Sequence, residues 1–227
     1  MDVLRIFLAS DIHDRPQLLL DALRRETYDV LVVAGDFTYL GGLDYVLGML
    51  RELRKYSRGP ILFVPGNCDP EGLLEVDLPD QQIYNLHARS FRLESTIFVG
   101  IGGSNITPFS TRIEFAEDDI EGMLMGIAES IRAAKDPIIL VTHAPPYGTL
   151  DMVRSGRHVG SLALRKALEL LNPAAVLCGH IHESRGVLEA GGTLIVNPGP
   201  AAYGLSLIHI SEPTRPRLIS YAVFCLK

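Results

Sequence analysis

The chain is poor in cysteine, in basic residues and in uninterrupted apolar runs, and each scarcity closes off a class of protein. Cys68, Cys178 and Cys225 are its only cysteines, at spacings that match neither a disulfide framework nor a zinc ribbon, which suits a reducing compartment. The first residues pass straight into strand-like sequence, without a basic n-region, an apolar h-region or a small-residue cleavage site, so the cytoplasm is the expected location. Asp, Arg or Pro interrupts every hydrophobic stretch short of a bilayer span, so no membrane insertion is expected. Lys and Arg together number 21 against 27 Asp and Glu, a formal net charge of -6. That balance disfavours a protein whose affinity comes from neutralising phosphates along a nucleic acid, and leaves room for a small anionic ligand. No internal repeat or low-complexity linker divides the chain. What is present is 227 residues, 47% of them hydrophobic, enough to bury a sizeable single core.

Residues 205–227 are read apart from the rest. Residues 205–215 and 219–226 correspond, in frame, to the two constant blocks of a transposase-type DNA sequencing adapter, and Pro216, Arg217 and Leu218 span its variable index. The expected domain organisation is therefore one domain over residues 1–204 followed by a non-native, adapter-derived tail over 205–227. Periodicity would not have revealed this, since Ile219, Tyr221, Val223 and Cys225 alternate like an ordinary half-buried strand. The tail carries Arg215, Arg217 and Lys227 against Glu212 alone, so the remainder is more acidic than the whole.

Apolar runs of strand length alternate with amphipathic helical stretches, the sequence form of an α/β fold. The spacing predicts strands over residues 4–10, 30–34, 61–64, 138–142 and 174–178, and helices over 16–26, 43–55, 114–134 and 161–171. Residues 82–100 read as a hairpin turning around Ala88, Arg89 and Ser90, followed by a loop over 102–111. Residues 185–196 read as a second hairpin turning at Gly191 and Gly192.

Metal-capable side chains follow these strands directly. Asp11 and His13 follow the first, Asp36 the second, Asn67 the third, His143 the strand 138–142, and His180 with His182 the strand 174–178. In an open α/β sheet the carboxyl ends of the strands form the ligand-binding edge, so residues far apart in sequence are expected to converge in one crevice. Seven N and O donors of mixed hardness are too many for one structural zinc and too rich in imidazole for a magnesium-only site. Two divalent ions fit better, with manganese, iron, cobalt, nickel or zinc all compatible. Such a pair clamps the attacking and leaving oxygens of an in-line phosphoryl displacement and generates hydroxide near neutral pH. One carboxylate must bridge the ions, and Asp36 is central.

Taken in order, Asp11-Ile12-His13, Gly35-Asp36, Gly66-Asn67-Cys68-Asp69, Thr142-His143 and Gly179-His180-Ile181-His182 make the chain resemble the calcineurin-like metallophosphoesterases over nearly all of residues 4–200. Asn197-Pro198-Gly199 looks like the small phosphodiesterase branch found in bacteria and archaea. The resemblance implies a four-layer α/β/β/α sandwich, with Asp11, His13, Asp36 and His182 around one ion and Asp36, Asn67, His143 and His180 around the other. It also implies hydrolysis of a small phosphate ester, a diester more than a monoester, by in-line attack of a metal-bridging hydroxide, with Asp36, Asn67 and His143 as candidate catalytic residues. The competing readings are a non-catalytic metal-binding scaffold, which the full donor set argues against, and a nuclease, which the acidic balance argues against. A protein phosphatase would need docking insertions that are absent from the sequence. Oligomeric state is not fixed by it.

Two positions depart from the family pattern. Asp14 stands where Gly usually follows the first motif, and Asp tolerates left-handed backbone better than most residues. Cys68 stands where many members carry the His that protonates the leaving oxygen or stabilises the transferring phosphoryl group, so that role is unassigned. Cys68 and Asn105 are kept as candidate substrate contacts, with Arg157 and His158 from a Gly-flanked basic loop that either binds substrate phosphate or is a solvated turn. Asp69, followed by Pro70 and Glu71, reads as a helix N-cap. Gly100, Gly102 and Gly103 lack the spacing of a dinucleotide fingerprint. His87 reads as a surface or partly packed residue and Cys178 as core.

Overall fold

The computed structural model describes residues 4–203 and the backbone of 206–211 and 220–225. In chain order the elements are β1 (Ile6–Ala9), α1 (Gln17–Arg25), β2 (Val30–Ala34), α2 (Leu43–Tyr56), β3 (Ile61–Val64), β4 (Ile83–Asn85), β5 (Arg89–Leu93) and β6 (Thr96–Ile101). There follow β7 (Ser104–Asn105), β8 (Glu114–Phe115), α3 (Glu117–Ser130), β9 (Ile138–Thr142), α4 (Leu162–Leu171), β10 (Ala175–Leu177), β11 (Gly186–Ala190), β12 (Thr193–Asn197), β13 (Ser206–Ser211) and β14 (Ser220–Cys225). Strands β1-β2-β3-β4 form one sheet, parallel throughout, and β11-β12-β10-β9-β6-β5 form a second with a parallel centre and antiparallel edges.

The period of two in the strands dictates the layers. In β1 and β2, Phe7, Ala9, Leu31 and Val33 face α1 and α2, while Ile6, Leu8, Val30 and Val32 face the second sheet. In the second sheet Phe98, Val141 and Leu177 complete that central layer, and Val99, Leu140 and Val176 turn outward to Ile120 and Leu124 of α3 and Leu164 and Ala167 of α4. Strands buried on both faces need apolar side chains at every position, which is why they read as continuous runs. The result is the α/β/β/α sandwich. Among the described residues no helix is long and apolar enough to cross a membrane.

Three local expectations are corrected. The hairpin in residues 82–100 turns at Glu94 and Ser95, not around Ala88: Leu93 pairs with Thr96, and Glu94 takes a left-handed φ of 52°. Residues 86–88 instead carry the chain from the first sheet to the second, because β4 pairs with β3 while β5 pairs with β6. The stretch 114–134 is helical only over Glu117–Ser130, since Glu114 and Phe115 pair with Ser104 and Asn105. Asp69 caps no helix. It is fully buried, and its carboxylate accepts from Thr38 N (3.1 Å) and Gly66 N (2.8 Å), tying the loop after β2 to the loop after β3. His87 is partly packed, stacked on Phe115 and accepting from Gly102 N, and Cys178 is core.

The backbones of β13 and β14 pair as an antiparallel hairpin, with β13 alongside β1. Residues 204, 205, 212–219, 226 and 227 lie outside the described residues. Among the residues whose side chains are described, three apolar clusters running from Leu4 to Ala201 hold the layers. Because residues 205–227 are read as adapter-derived, truncation after Gly204 is expected to leave metal content and turnover intact; thermal melting of the shortened chain checks this, and outright loss of the fold would show that β13 is needed as cover for β1.

Candidate metal centre

The carboxyl ends of β1, β2, β3, β9 and β10 deliver their following residues to one place between the two sheets. Backbone bonds align the first two exits: Asp11 N donates to Gly35 O and His13 N to Asp36 O, both at 3.0 Å. Asp11, His13, Asp36 and His180 all sit in left-handed backbone, with φ of 54°, 45°, 54° and 67°. Such conformations are costly for non-glycine residues and persist where the surroundings over-determine them. Asp14 is left-handed too, at 65°, as its replacement of Gly required, and its carboxylate accepts from Thr38 Oγ1 and Tyr39 N. Close approach explains two glycines. A Cβ at Gly66 would lie 2.1 Å from Asp36 Oδ1, and one at Gly179 would lie 1.7 Å from Ser10 Oγ.

The donors fall into two overlapping groups. Ligand atoms of Asp11, His13 and His182 lie within 4.8 Å of one another, as do those of Asp11, Asp36 and His143. Asp36 faces both ways, with Oδ1 3.5 Å from His143 Nε2 and Oδ2 3.7 Å from His13 Nε2. Asn67 Oδ1 is 2.9 Å from His143 Nε2, and the His180 ring lies 4.9 Å from that of His143. The structure thus brings together all seven residues singled out by their strand exits.

Charge and tautomer make these groups suited to a cation. Asp11 and Asp36 are buried and, among the described residues, pair with no Lys or Arg, only with histidines. Clustered buried carboxylates without a counter-charge are expensive, and a bound cation removes the cost. His143 Nδ1 donates to Ala34 O at 2.8 Å, which leaves Nε2 as a lone-pair donor toward Asp36 and Asn67. His13 Nε2 stands 3.8 Å from Asp11 Oδ1, the separation of two donors on a shared ion and too long for a hydrogen bond. Withdrawal from water lowers the His13 imidazole, and the same cause, helped by His143, lowers His180 to about 4. Burial works to raise the Asp11 carboxyl, but the hydrogen bond with His182 and the nearby imidazoles hold it below the ordinary carboxylate range. His182 is raised by that same bond to Asp11. The lowered His13 and His180 imidazoles and the Asp11 carboxylate suit a divalent metal, which on binding must displace the proton that Asp11 favours on His182.

Supporting contacts lie around the donors. Ser10 Oγ donates to Asp11 Oδ2 at 2.5 Å and Cys68 N to Asp36 Oδ1 at 2.9 Å. Asn67 Nδ2 donates to Thr111 Oγ1 (2.9 Å), which donates to Glu114 Oε1 (2.5 Å), so the carbonyl end of Asn67 is turned to the centre. The Tyr39 ring stacks on His13 at 3.7 Å. Thr111, Glu114 and Tyr39 escaped sequence reasoning because nothing in their local pattern marks them. The candidate substrate contacts are less tightly gathered. Cys68 adjoins Asn67 with its thiol pushed up by burial and by Asp36, while Asn105 spends its amide on Val159 O at 3.2 Å. Arg157 is exposed, and His158 bonds to Asp151.

The model of the family described as calcineurin-like phosphoesterase matches residues 4–184. The chain is 39% identical over 207 residues to the uncharacterized protein MJ1162 of Methanocaldococcus jannaschii, covering 88% of this chain and 90% of that one. In fold it is similar to a dimetal phosphatase from Danio rerio (TM-score 0.65, 14% identity, 94% of each chain covered). It is also similar to an archaeal phosphodiesterase (TM-score 0.53, 16% identity, 98% of this chain and 100% of that chain covered). Replacing Thr111 by Val, which removes the hydroxyl that orients Asn67, is expected to weaken metal affinity by about 10- to 100-fold with the melting temperature of the metal-free protein little changed, as measured by metal titration.

Proposed function

Since the chain belongs to the calcineurin-like phosphoesterase family, we propose that it hydrolyses small phosphodiesters with the help of two divalent ions. In this reading Asp11, His13, Asp36 and His182 hold one ion, and Asp36, Asn67, His143 and His180 hold the other. The observation that carries it is the double-facing Asp36 carboxylate, whose two oxygens address imidazoles of both donor groups. When bound, the ions supply Lewis acidity to the phosphoryl oxygens and make water nucleophilic near neutral pH.

The residues of the chain do the rest. Asp36 is fixed by the Cys68 N–H and His143 by the Ala34 carbonyl, so the donors are set before substrate arrives. Asn67 presents an amide carbonyl, an additional oxygen donor that brings no further negative charge to a centre already holding buried carboxylates. The acidic surface balance favours a small ester over a polynucleotide, and the cytoplasm is the compartment that the cysteine content suits. The diester preference draws on the fold relative that is a phosphodiesterase and on Cys68. A neutral thiol there offers no positive charge to a dianionic monoester, whereas a diester carries one negative charge less.

Turnover of a panel of monoesters, linear diesters and cyclic nucleotides with manganese, iron, cobalt, nickel and zinc tests the reading, and inertness toward all of them would favour a scaffold. Asp36→Asn is expected to abolish turnover while the fold persists, because removing the shared carboxylate weakens both ions at once; near-normal activity with intact circular dichroism would reject Asp36 as the bridge. Cys68→His is expected to raise the ratio of monoester to diester kcat/KM with the same metal. An unchanged ratio, metal content being equal, would leave Cys68 a spacer.

A further inference from the structure

Beyond the seven donors, the same sheet edge carries one more imidazole, and a carboxylate holds it. Asp151 is fully buried, and its oxygens accept from Gly148 N (3.0 Å), Thr149 N (2.9 Å), Gly160 N (2.9 Å) and His158 Nδ1 (2.5 Å). Three backbone N–H groups hold this carboxylate in place. The His158 side chain is 32% exposed, and among the described residues its Nε2 meets no protein partner. Outside the metal donors, no other described imidazole is held by a buried carboxylate in this way.

The loop that carries this pair is hemmed in by two of the exits that build the metal centre and by the segment that orients Asn67. Ser161 N donates to the carbonyl of Pro145, two residues past His143. Ser184 Oγ, two residues past His182, donates to Met152 O at 2.7 Å, and Met152 faces His158 across an antiparallel bridge. On the other flank Asn105 Nδ2 donates to Val159 O, and the segment containing Asn105 holds Asn67 through Thr111 and through the bond from Ile113 N to Asn67 O. The loop that bears His158 is therefore tied to the Asn67 side through Asn105 and to the His182 side through Ser184.

We propose that His158, oriented by Asp151, is the catalytic residue that donates the proton to the leaving oxygen of the bound ester, filling the role that Cys68 leaves vacant. The step rests on the hydrolytic reading above. The bond from the water oxygen to phosphorus forms as the bond from phosphorus to the leaving oxygen breaks with its electron pair. That oxygen takes the proton from His158 Nε2, whose lone pair remains on a neutral imidazole, and the proton shed by the attacking water passes to solvent. Asp151 is a positioning residue: its bond to Nδ1 fixes the ring and leaves Nε2 free of it.

The test compares manganese-loaded wild type and His158→Gln on methyl aryl phosphodiesters whose leaving groups run from p-nitrophenol to unsubstituted phenol. Gln retains a donor for Asp151 but cannot supply the proton. The expected result is a graded loss in kcat/KM, on the order of 100-fold for the phenol ester and under about threefold for the p-nitrophenol ester, because a good leaving group needs no acid. Metal content and melting temperature should be unchanged. An equal loss across the series, or no loss, overturns the assignment of His158 while leaving the hydrolase reading standing. A wild type inert toward every ester overturns both.

Discussion

Negative charge without a basic counter-charge is the constraint on which this structure turns. Asp11 and Asp36 leave adjacent parallel strands and are buried together where the two sheets meet, facing imidazoles and no Lys or Arg among the described residues. Lost hydration makes such burial expensive, and a bound cation would offset it. The surrounding features serve the arrangement. Left-handed backbone at the strand exits aims the side chains, glycines at 66 and 179 let the neighbouring loops close in, and the His180 N–H meets the Asp11 oxygen turned away from His13 and His182. Asp69 repeats the theme one layer further out, where burial and the nearby Asp36 raise its carboxyl well above the usual range while the amides of Gly66 and Thr38 oppose that rise.

Most of the frame was legible in the sequence, and the reason is physical. Strands covered on both faces must be apolar at each position, so β1, β2, β3 and β9 stood out as runs, and the polar residue ending each run was where the chain reaches the sheet edge. The helices announced themselves by spacing and by Pro16 and Ser161 at their starts. The turn at Glu94 and Ser95 was hidden because a two-residue hairpin usually advertises Gly or Asn, and here a Glu accepts the left-handed position. Ala88 misled for the mirror-image reason: a small residue in a strand-like region looked like a turn, yet it marks the crossing between sheets.

What the sequence concealed about the site consists of contacts across distance. Asn67 and Thr111 are 44 positions apart, and Asn105 and Val159 are 54 apart, so no local periodicity relates them. Asp151 and His158 are close in sequence, but a loop pattern does not say which side chains turn inward, and only the fold shows one buried carboxylate gathering the loop around it. Asp69 was misjudged because Asp-Pro-Glu is a strong local capping signal that long-range burial overrode.

The division of the donors between sheets has a further consequence. Asp11, His13, Asp36 and Asn67 come from loops of the sheet built by residues 6–85, while His143, His180 and His182 come from the sheet built by residues 89–197. Neither half offers a complete ligand set by itself. An ion bound across them acts as a rivet between the two sheets, and by mass action each increase in free metal deepens the stability of the docked pair relative to any state in which the sheets have parted. Free metal concentration would then enter the melting temperature of the fold itself.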